Sequence, residues 1–295
     1  MPRLACQDAL FWRALDAGQA AGGPCGSVCR IAFDAFYYAH CCGRPYVRDE
    51  AWLRFFGGIA DRIVADVAPQ RVLDAGCALG FLVEMLRDRG VDAYGVDVSE
   101  YAIEHVEDRI KPFCRCGSLV DDLGGEYDLI VSIEVAEHMP VREAEAAIAN
   151  ICAHTTDVLF SSSPLDQREP THVNVQPPEY WAEQFARHGF YRDVDYDATY
   201  ILPWAARFQK RDQPVHRLVR DYERRYWALL NAADSARAYS QDLHREFEAV
   251  EAERDTLRAG QSEVVNQLRE TIANMERSQF WKLRLLWLQF KNLWS

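Results

Sequence analysis

The sequence lacks the features that are typical of membrane-spanning and secreted proteins, so we expect a cytoplasmic protein. It has no run of roughly 20 uninterrupted apolar residues, the length that a membrane span requires, so we predict no transmembrane helix. Its first residues, Met1-Pro-Arg-Leu, lack the apolar core and cleavage site of a signal peptide. The nine cysteines are odd in number, and Cys25, Cys29, Cys41 and Cys42 fit no common zinc-finger spacing. We therefore expect reduced thiols.

Basic residues are also scarce. Lys and Arg number 33 against 45 Asp and Glu, which gives a net charge of −12. A surface this acidic repels phosphate backbones, so long nucleic acids are poor candidate partners. The 295 residues, 49% of them hydrophobic, suffice for one α/β domain with appendages. After Arg211, proline and glycine vanish except for Pro214 and Gly260, and this composition favours a long helix.

Two oxidoreductase motifs are missing: the G-x-G-x-x-G turn of dinucleotide sites and a Tyr-x-x-x-Lys pair. The chain instead has Asp74-x-Gly76-x-x-x-Gly80, between a strand-like run and the helical pattern of residues 81–87. Glycines at such a turn let the backbone approach a ligand, and the N–H groups of the next helix face it. A second strand-like run ends in Asp97. The acid before the first glycine suits a ligand with an ammonium group.

This arrangement resembles motif I of class I S-adenosylmethionine-dependent methyltransferases. The resemblance covers about residues 45–210 and implies a Rossmann-like, doubly wound α/β fold whose seven-stranded sheet has an antiparallel last strand. It implies that Asp74, Gly76 and Gly80 hold the methionine part of S-adenosylmethionine and that Asp97 binds the ribose. Where many relatives have an acid for adenine, this chain has Cys116-Gly-Ser118-Leu119, so we expect backbone contacts there. The expected cofactor-binding residues are Asp74, Gly76, Cys77, Gly80, Asp97, Val98, Ser118 and Leu119.

Hydrophobic periodicity predicts alternating strands and helices around this motif. We predict helices at 50–66, 100–108, 142–152 and 178–188, the first two capped by Asp49 and Ser99. We predict further strands at 112–116, 128–133, 158–160, 191–196 and 200–205.

A possible reaction centre directly follows the strand at 128–133. The run Glu134-Val-Ala-Glu137-His138, if it forms a helical turn, presents three polar side chains on one face, and His172 lies on the loop after the next strand. The pattern resembles the metal site of small-RNA 2′-O-methyltransferases, and its first part also resembles ubiquinone-pathway O-methyltransferases. The resemblance implies that Glu134, Glu137, His138 and His172 bind Mg²⁺ or Mn²⁺, which would activate an acceptor hydroxyl.

Other interpretations remain open at this point. Glu134 and His138 are also compatible with supporting and capping roles, and His138 or His172 with action as a metal-free general base. The absence of Asn/Asp-Pro-Pro-Tyr after Ile133 disfavours DNA adenine or glutamine as acceptors. We expect O-methylation of a hydroxyl on a sugar, a glycan or another small molecule. The alternative is a methyltransferase-fold scaffold with little catalysis.

The flanking segments complete the predicted organisation. Residues 1–47 carry aromatic side chains and are expected to cover a methyltransferase domain at 48–212. Residues 213–279 predict a coiled coil, with one seam at Leu243, Val250, Leu257 and Val264 and a partly polar companion seam at Phe247, Arg254, Gln261, Leu268 and Met275. It would pair with a second copy or fold back on the domain. The basic and aromatic tail 280–295 would bind a partner or the inner face of a membrane.

Overall fold

The computed structural model describes residues 33–167 and 169–292, with side chains described as far as Phe290. The predictions for Cys25, Cys29, Trp294 and most of the N-terminal cover lie outside the described residues. The six described cysteines, at positions 41, 42, 77, 114, 116 and 152, are free thiols.

Seven strands form one sheet in the order β3-β2-β1-β4-β5-β7-β6. They are β1 (Arg71–Ala75), β2 (Asp92–Asp97), β3 (Cys114–Cys116), β4 (Leu129–Ile133), β5 (Asp157–Ser161), β6 (Phe190–Arg192) and β7 (Ala206–Lys210). Strands β1 to β5 pair in parallel, whereas β7 is antiparallel to both β5 and β6. The predicted doubly wound fold with an antiparallel last strand is confirmed. Its chain order reverses between β1 and β4, which opens a ligand crevice at their carboxyl ends.

Helices flank this sheet. They are α1 (Ala35–His40), α2 (Glu50–Asp66), α3 (Phe81–Arg87), α4 (Glu100–Glu104), α5 (Val141–His154) and α6 (Pro178–Ala186). Helix α2 begins and ends where it is predicted, and Asp49 caps it by accepting a hydrogen bond from Trp52 N. Ser99 caps α4 as predicted, but α4 ends four residues early, and α6 ends two residues early.

The two faces of the sheet bury separate apolar clusters because successive strand residues point to opposite sides. Val72, Val131 and Leu159 pack with the helices α2 and α3 on one face. Leu73 and Ile130 pack with α5 and α6 on the other. The sheet is thereby fixed between two helical layers, and the ends of β1 and β4 are held next to each other.

The predicted strand at 200–205 is wrong. These residues form turns in which Ile201 N donates to Ala198 O and Ala205 N donates to Leu202 O. Pro203 within this run has no N–H to give to a strand ladder. Strand β7 begins only at Ala206, so Trp204 lies on the loop before it rather than in the sheet.

The chain divides into two compact units between Asp221 and Tyr222. Helix α7 (Val215–Arg277) runs for 63 residues, and none of its residues is buried. Helix α8 (Gln279–Asn292) follows after Ser278. Among the described residues, no helix combines the length and apolar character that crossing a bilayer requires. Pairing of α7 as a coiled coil stays a prediction.

Candidate functional site

The turn after β1 is built from backbone conformations that favour glycine. Gly76 has a φ of 95° and Gly80, the N-cap of α3, a φ of 72°. Gly76 N and Cys77 N donate to Val96 O over 2.8 and 3.1 Å, which ties the turn to β2. A Cβ on Gly76 would overlap the Val135 side chain, so the turn also requires a residue without one. Tight contact with the chain after β4 thus explains this glycine.

Asp97 at the end of β2 organises the same turn from the other side. Its two carboxylate oxygens accept hydrogen bonds from Ala78 N and Ser99 N, each over 2.8 Å. Burial raises the pKa of the Asp97 carboxyl, and these backbone donors oppose that shift. Ala78 adopts a φ of 47°, unusual for a residue with a side chain, and the Asp97 bond helps to hold it there.

Asp74 is a buried acid on whose pKa no cation among the described residues acts. It is 5% exposed at the end of β1, and burial, reinforced by the charge of Asp97, raises its pKa to about 8. A buried carboxyl with no compensating cation is costly to ionise. The side chain is therefore suited to a cationic ligand, whose ammonium would restore the carboxylate form.

The remaining predicted cofactor residues surround this turn. Val98 is exposed directly after Asp97. Leu119 is buried, and its carbonyl accepts a hydrogen bond from Asn150 Nδ2 over 2.8 Å. Ser118 Oγ accepts from Val120 N over 3.3 Å.

Cys77 is a packing residue of the turn. Hydrogen bonding with Cys114, together with burial, raises the pKa of the Cys77 thiol well above its usual range. A thiol with such a pKa is a poor nucleophile. Its sulfur fills space over Gly95, where an added Cβ would lie 2.6 Å from Cys77 Sγ.

A second polar group follows β4. The prediction of one helical turn through Glu134 is wrong, because a short 3₁₀-helix begins only at Ala136 and Glu134 has a φ of 54°. Glu134 N donates to Ser161 O over 3.1 Å, and Trp204 Nε1 donates to Glu134 Oε1 over 2.9 Å. These bonds hold a strained backbone conformation at the sheet edge, a location where such strain often marks function.

Glu137, His138 and His172 come together at this edge. Each offers one ligand atom, and these atoms lie within 4.8 Å of one another. Glu137 is fully buried, and its Oε1 accepts from Ser163 N over 3.1 Å. Its Oε2 is buried and has no hydrogen-bond partner among the described residues. Burial, with the nearby charge of Glu134, raises the Glu137 pKa to about 8.

Each of the two imidazoles is oriented by a hydrogen bond at its Nδ1 atom. His138 Nδ1 lies 3.2 Å from the carbonyl oxygen of Thr171, and His172 Nδ1 lies 2.7 Å from that of Asp166. A carbonyl only accepts, so each Nδ1 atom carries a hydrogen, and in the neutral form of each ring the lone pair is on Nε2. Burial, and secondarily the His172 charge, lowers the His138 pKa to about 4. A neutral imidazole fixed by a carbonyl at its other nitrogen is typical of metal-binding histidines.

These features together fit a divalent cation. Two imidazoles and one carboxylate form a common ligand set for first-row metals. A cation would also satisfy the buried Glu137 Oε2, which accepts no well-formed hydrogen bond from the described residues. Glu134 is outside the group of three, although its charge acts on Glu137.

The N-terminal helix α1 contacts both halves of the site. Tyr37 Oη lies 3.4 Å from His138 Nε2, and the ring of Phe33 packs edge-on against that of His138. Ser99 Oγ donates to Phe33 O over 2.5 Å. Burial, and secondarily the charge of Asp97, raises the pKa of Tyr38. The described part of the predicted N-terminal cover therefore lies against the ends of β2 and β4.

Sequence reasoning did not identify two supporting residues. Thr171 Oγ1 accepts from His138 Nδ1 over 3.0 Å and donates to Glu169 Oε1 over 3.1 Å. Trp204 holds Glu134, as described above. Thr171 directly precedes His172, so a search for hydroxyl side chains beside predicted ligands would have found it. Trp204 lies within the wrongly predicted strand, and no local signal indicated its bond to Glu134.

The chain has relatives among characterised proteins. Residues 48–193 match a family profile described as a methyltransferase domain. Over 89 residues the chain is 32% identical to a magnesium-protoporphyrin O-methyltransferase from Synechocystis, covering 28% of this chain and 39% of that protein. Over 105 residues it is 28% identical to a ubiquinone biosynthesis O-methyltransferase from Methylococcus capsulatus, covering 33% of this chain and 44% of that protein. The chain thus spans less than half the length of these curated relatives.

Two solved structures are also similar. The magnesium protoporphyrin IX methyltransferase from Synechocystis, with S-adenosylmethionine bound, shares 20% identity at a TM-score of 0.45, over 54% of this chain and 79% of that one. An amino pentose methyltransferase from Micromonospora echinaspora shares 16% identity at a TM-score of 0.45, over 56% of this chain and 93% of that one.

Proposed function

Since residues 48–193 form a methyltransferase domain of the class I S-adenosylmethionine-dependent type, we propose that the protein transfers the sulfonium methyl group to a hydroxyl oxygen. The acceptor oxygen would attack the methyl carbon in line as the carbon–sulfur bond breaks, and the hydroxyl proton would leave to a base or solvent. The two curated relatives described above are both named O-methyltransferases. The observation that carries the proposal for oxygen is the group formed by the buried Glu137 and the partly buried His138 and His172 at the end of β4.

The roles of the cofactor residues follow from their surroundings. Asp74, buried and without a cation, would bind the methionine ammonium. Asp97 would accept from the ribose hydroxyls on lone pairs that its two backbone donors leave free. Gly76 and Gly80 keep the turn free of side chains, and backbone atoms of Ser118 and Leu119 would contact the adenine. Val98 and Cys77 would line the pocket.

Glu137, His138 and His172 would hold a divalent cation, with Glu134 as a fourth ligand through its Oε2. When bound, such an ion lowers the pKa of an acceptor hydroxyl. Two imidazoles favour Mn²⁺ or another first-row ion as much as Mg²⁺. The protein's own part is to present both Nε2 lone pairs, to bury the carboxylate and to exclude water with Phe33 and Tyr37.

We further propose that the acceptor is a sugar or glycan with adjacent hydroxyls. A cation can clasp two neighbouring hydroxyl oxygens, which defines both the position and the acidity of the reacting one. The net charge of −12 argues against a polyanionic acceptor such as a nucleic acid. Sugars offer the required pair of hydroxyls without added negative charge.

The experiment is methyl transfer by the full-length protein to a panel of neutral glycans, monosaccharides and catechols, with and without chelator. We expect product only from acceptors with adjacent hydroxyls, loss of activity in chelator, and recovery with Mn²⁺ or Mg²⁺. Calorimetry with S-adenosylhomocysteine and with Mn²⁺ alone gives readouts that do not depend on the acceptor. If chelator left the activity unchanged, the proposal of a bound metal would be wrong. If S-adenosylhomocysteine did not bind, the proposal of a methyltransferase function would be wrong.

A specific observation favours a metal-free second candidate. The His138 Nε2 lone pair is unprotonated and lies in contact with the Tyr37 hydroxyl, so it is also suited to accept a proton as general base. In that case His138→Gln would abolish methyl transfer while Glu137→Gln and chelator would leave it nearly unchanged. The scaffold alternative predicts no transfer to any acceptor despite cofactor binding.

We also propose that α8 contacts an anionic membrane surface. Leu283, Leu286, Trp287 and Phe290 are exposed on one side of the helix. Lys282 and Arg284 flank this side in the helical projection, and α8 has no acid. Apolar residues flanked by cations are typical of helices that lie in a bilayer interface.

Flotation with vesicles tests this role. We expect binding to vesicles that contain phosphatidylserine, weak binding to pure phosphatidylcholine, and loss of binding in a Lys282→Glu and Arg284→Glu double variant. The matched control, Arg245→Glu and Arg269→Glu on α7, makes the same charge change and should bind like the wild type. If the two double variants bound vesicles equally well, the proposed membrane role of α8 would be wrong.

A further inference from the structure

The long helix α7 carries a heptad pattern over its whole course within the second unit. Two sets of positions, each repeating every seven residues and offset by four, alternate from Tyr222 to Met275. The first set is Tyr222, Leu229, Ala236, Leu243, Val250, Leu257, Val264 and Thr271. The second set is Tyr226, Ala233, Ser240, Phe247, Arg254, Gln261, Leu268 and Met275. Twelve of these sixteen residues are apolar, and eight successive heptads are far more than chance spacing provides.

All sixteen side chains are exposed in the single chain. Val250 and Leu257, at the middle of the stripe, are each 63% exposed. The stripe extends over about 80 Å at the helical rise per residue. Proteins rarely leave a mainly apolar stripe of this length open to water, because burial of apolar surface is the main driving force for association.

We propose that this stripe, defined as the sixteen positions above, binds the same stripe of a second copy of the chain in a parallel, in-register coiled coil. An identical helix offers the same seven-residue repeat along the same length, which no shorter apolar surface matches. In the heptad notation, the first set occupies the d positions and the second set the a positions. The two copies of α8, which follow α7 in each chain, then lie at the same end of the pair.

The polar positions determine the orientation. Ser240, Arg254 and Gln261 all occupy a positions. In a parallel in-register pair, each a residue meets its own counterpart, so the polar layers coincide and no polar side chain faces an apolar one. An antiparallel pair sets a against d positions and would place Arg254 and Gln261 opposite apolar residues. The polar layers thus select one register at a cost in stability.

Charged residues that flank the centre of the stripe also favour the parallel, in-register pair. Glu253 occupies the g position next to Arg254, and Arg258 the following e position. In the parallel pair, Glu253 of each chain lies beside Arg258 of the other, which gives two attractive contacts. One heptad earlier, Glu246 and Glu251 form a like-charged pair that weakens the association.

Light scattering and sedimentation of the full-length protein over a wide range of concentrations test the proposal. We expect twice the chain mass of 33.8 kDa. Val250→Glu with Leu257→Glu should weaken association roughly 100-fold or more, because charges would be buried in the seam. The matched control, Ala252→Glu with Ala259→Glu, adds the same charges at the same spacing on the opposite face and should stay dimeric. Far-UV circular dichroism checks that both variants remain helical.

Two further variants test register and orientation. Gln261→Cys should form a disulfide between residues 261 of the two copies on oxidation, whereas Asn266→Cys, off the seam, should not. The nine native cysteines all precede residue 153, so peptide mapping distinguishes the new cross-link. Arg254→Leu should tighten the dimer roughly tenfold, since it removes a polar layer.

Several outcomes would overturn the proposal. A wild-type chain that stays monomeric at all concentrations would show that the stripe does not bind a second copy of the chain. A trimer would overturn the two-chain assembly, and a 261–261 cross-link that fails to form in a stable dimer would overturn the parallel register. Equal dissociation of the seam and control variants would show that charge alone, rather than the stripe, governs association.

Discussion

Tyr37 Oη lies 3.4 Å from His138 Nε2, the atom through which His138 would bind a metal. The hydrogen on His138 Nδ1 is directed to Thr171, so the phenol is the donor in this contact. The Tyr37 hydroxyl and a bound metal ion would therefore compete for one lone pair. Metal binding at His138 Nε2 would break or redirect this hydrogen bond, and the competition can be measured.

Replacing Tyr37 by phenylalanine should strengthen metal binding. The variant has no hydroxyl to compete for His138 Nε2, and a hydrogen bond of this kind contributes about 0.5–1.5 kcal/mol. We expect Mn²⁺ to bind about two- to tenfold more tightly by calorimetry. Tyr94→Phe, on the face of the sheet away from α1, is the control and should leave the affinity unchanged. Weaker Mn²⁺ binding in Tyr37→Phe would instead mean that the phenol supports the ion.

The Glu137 and Glu134 carboxylates should differ in their effect on metal binding. Glu137→Gln removes the buried ligand and should lower Mn²⁺ affinity at least about 100-fold. Glu134→Gln should have a smaller effect, because Trp204 already occupies one of its oxygens. Calorimetry with Mn²⁺ gives the order, and S-adenosylhomocysteine binding serves as the control for folding in both variants. The reverse order would make Glu134 the principal ligand.

Cofactor binding should depend on pH through Asp74. Its pKa of about 8 means that the carboxyl is mostly protonated in the free protein at pH 7, and only the carboxylate attracts an ammonium group. The ratio of S-adenosylhomocysteine affinities between wild type and Asp74→Asn should therefore rise up to about tenfold per pH unit below pH 8, then level off. Calorimetry from pH 6 to 8.5 measures this ratio. A constant ratio would show that Asp74 does not bind the ammonium.

The same group has a defined effect on stability. Its pKa is higher in the folded chain than the ordinary aspartate value, so the folded state holds the proton more tightly than the unfolded state. The resulting stabilisation is present at low pH and is lost as pH rises through 8. In the absence of ligand, the thermal midpoint of the wild type should therefore fall relative to that of Asp74→Asn between pH 6 and 9. If the thermal midpoints of the wild type and of Asp74→Asn changed equally with pH, the Asp74 pKa would lie near the ordinary aspartate value.

Gly76 should be replaceable by alanine only at a high cost. Gly76→Ala adds both a left-handed backbone strain and an overlap with Val135. Gly90→Ala has a similar φ of 81° with nothing near the added Cβ, so it isolates the strain alone, about 1–2 kcal/mol. We expect Gly76→Ala to lose more stability than Gly90→Ala in urea denaturation and to lose S-adenosylhomocysteine binding. Adding Val135→Ala should partly restore the stability of Gly76→Ala. Equal losses of stability in Gly76→Ala and Gly90→Ala would show that the contact with Val135 has no effect.

Local sequence signals were sufficient for most of the fold. Helix α2 and the turn at Gly76 were predictable because capping residues, helical periodicity and glycine each act over a few neighbouring residues. The strand at 200–205 was wrongly predicted because the aromatic and β-branched residues there lie in turns, where they pack against the core without joining the sheet. Tyr200 packs under Arg62 and bonds Tyr196 rather than joining the sheet.

The candidate site was only partly predictable for a related reason. The topology rule brings Glu137, His138 and His172 to one edge, since both segments follow neighbouring parallel strands. The backbone of Glu134 and its bond to Trp204 depend on a contact between residues 70 positions apart, which no local pattern contains. The contact of Tyr37 with His138 is likewise set by tertiary packing.

The bond between Phe33 O and Ser99 Oγ has a practical consequence for anyone shortening the chain for expression or crystallography. A fragment that starts at residue 48, where the family match begins, would keep all seven strands. It would nonetheless strip Phe33, Tyr37 and Tyr38 from the mouth of the crevice and leave His138 open to solvent. Boundaries drawn from homology alone would thus remove this lining together with the buried Tyr38 of the core, whereas a start at or before residue 33 retains both.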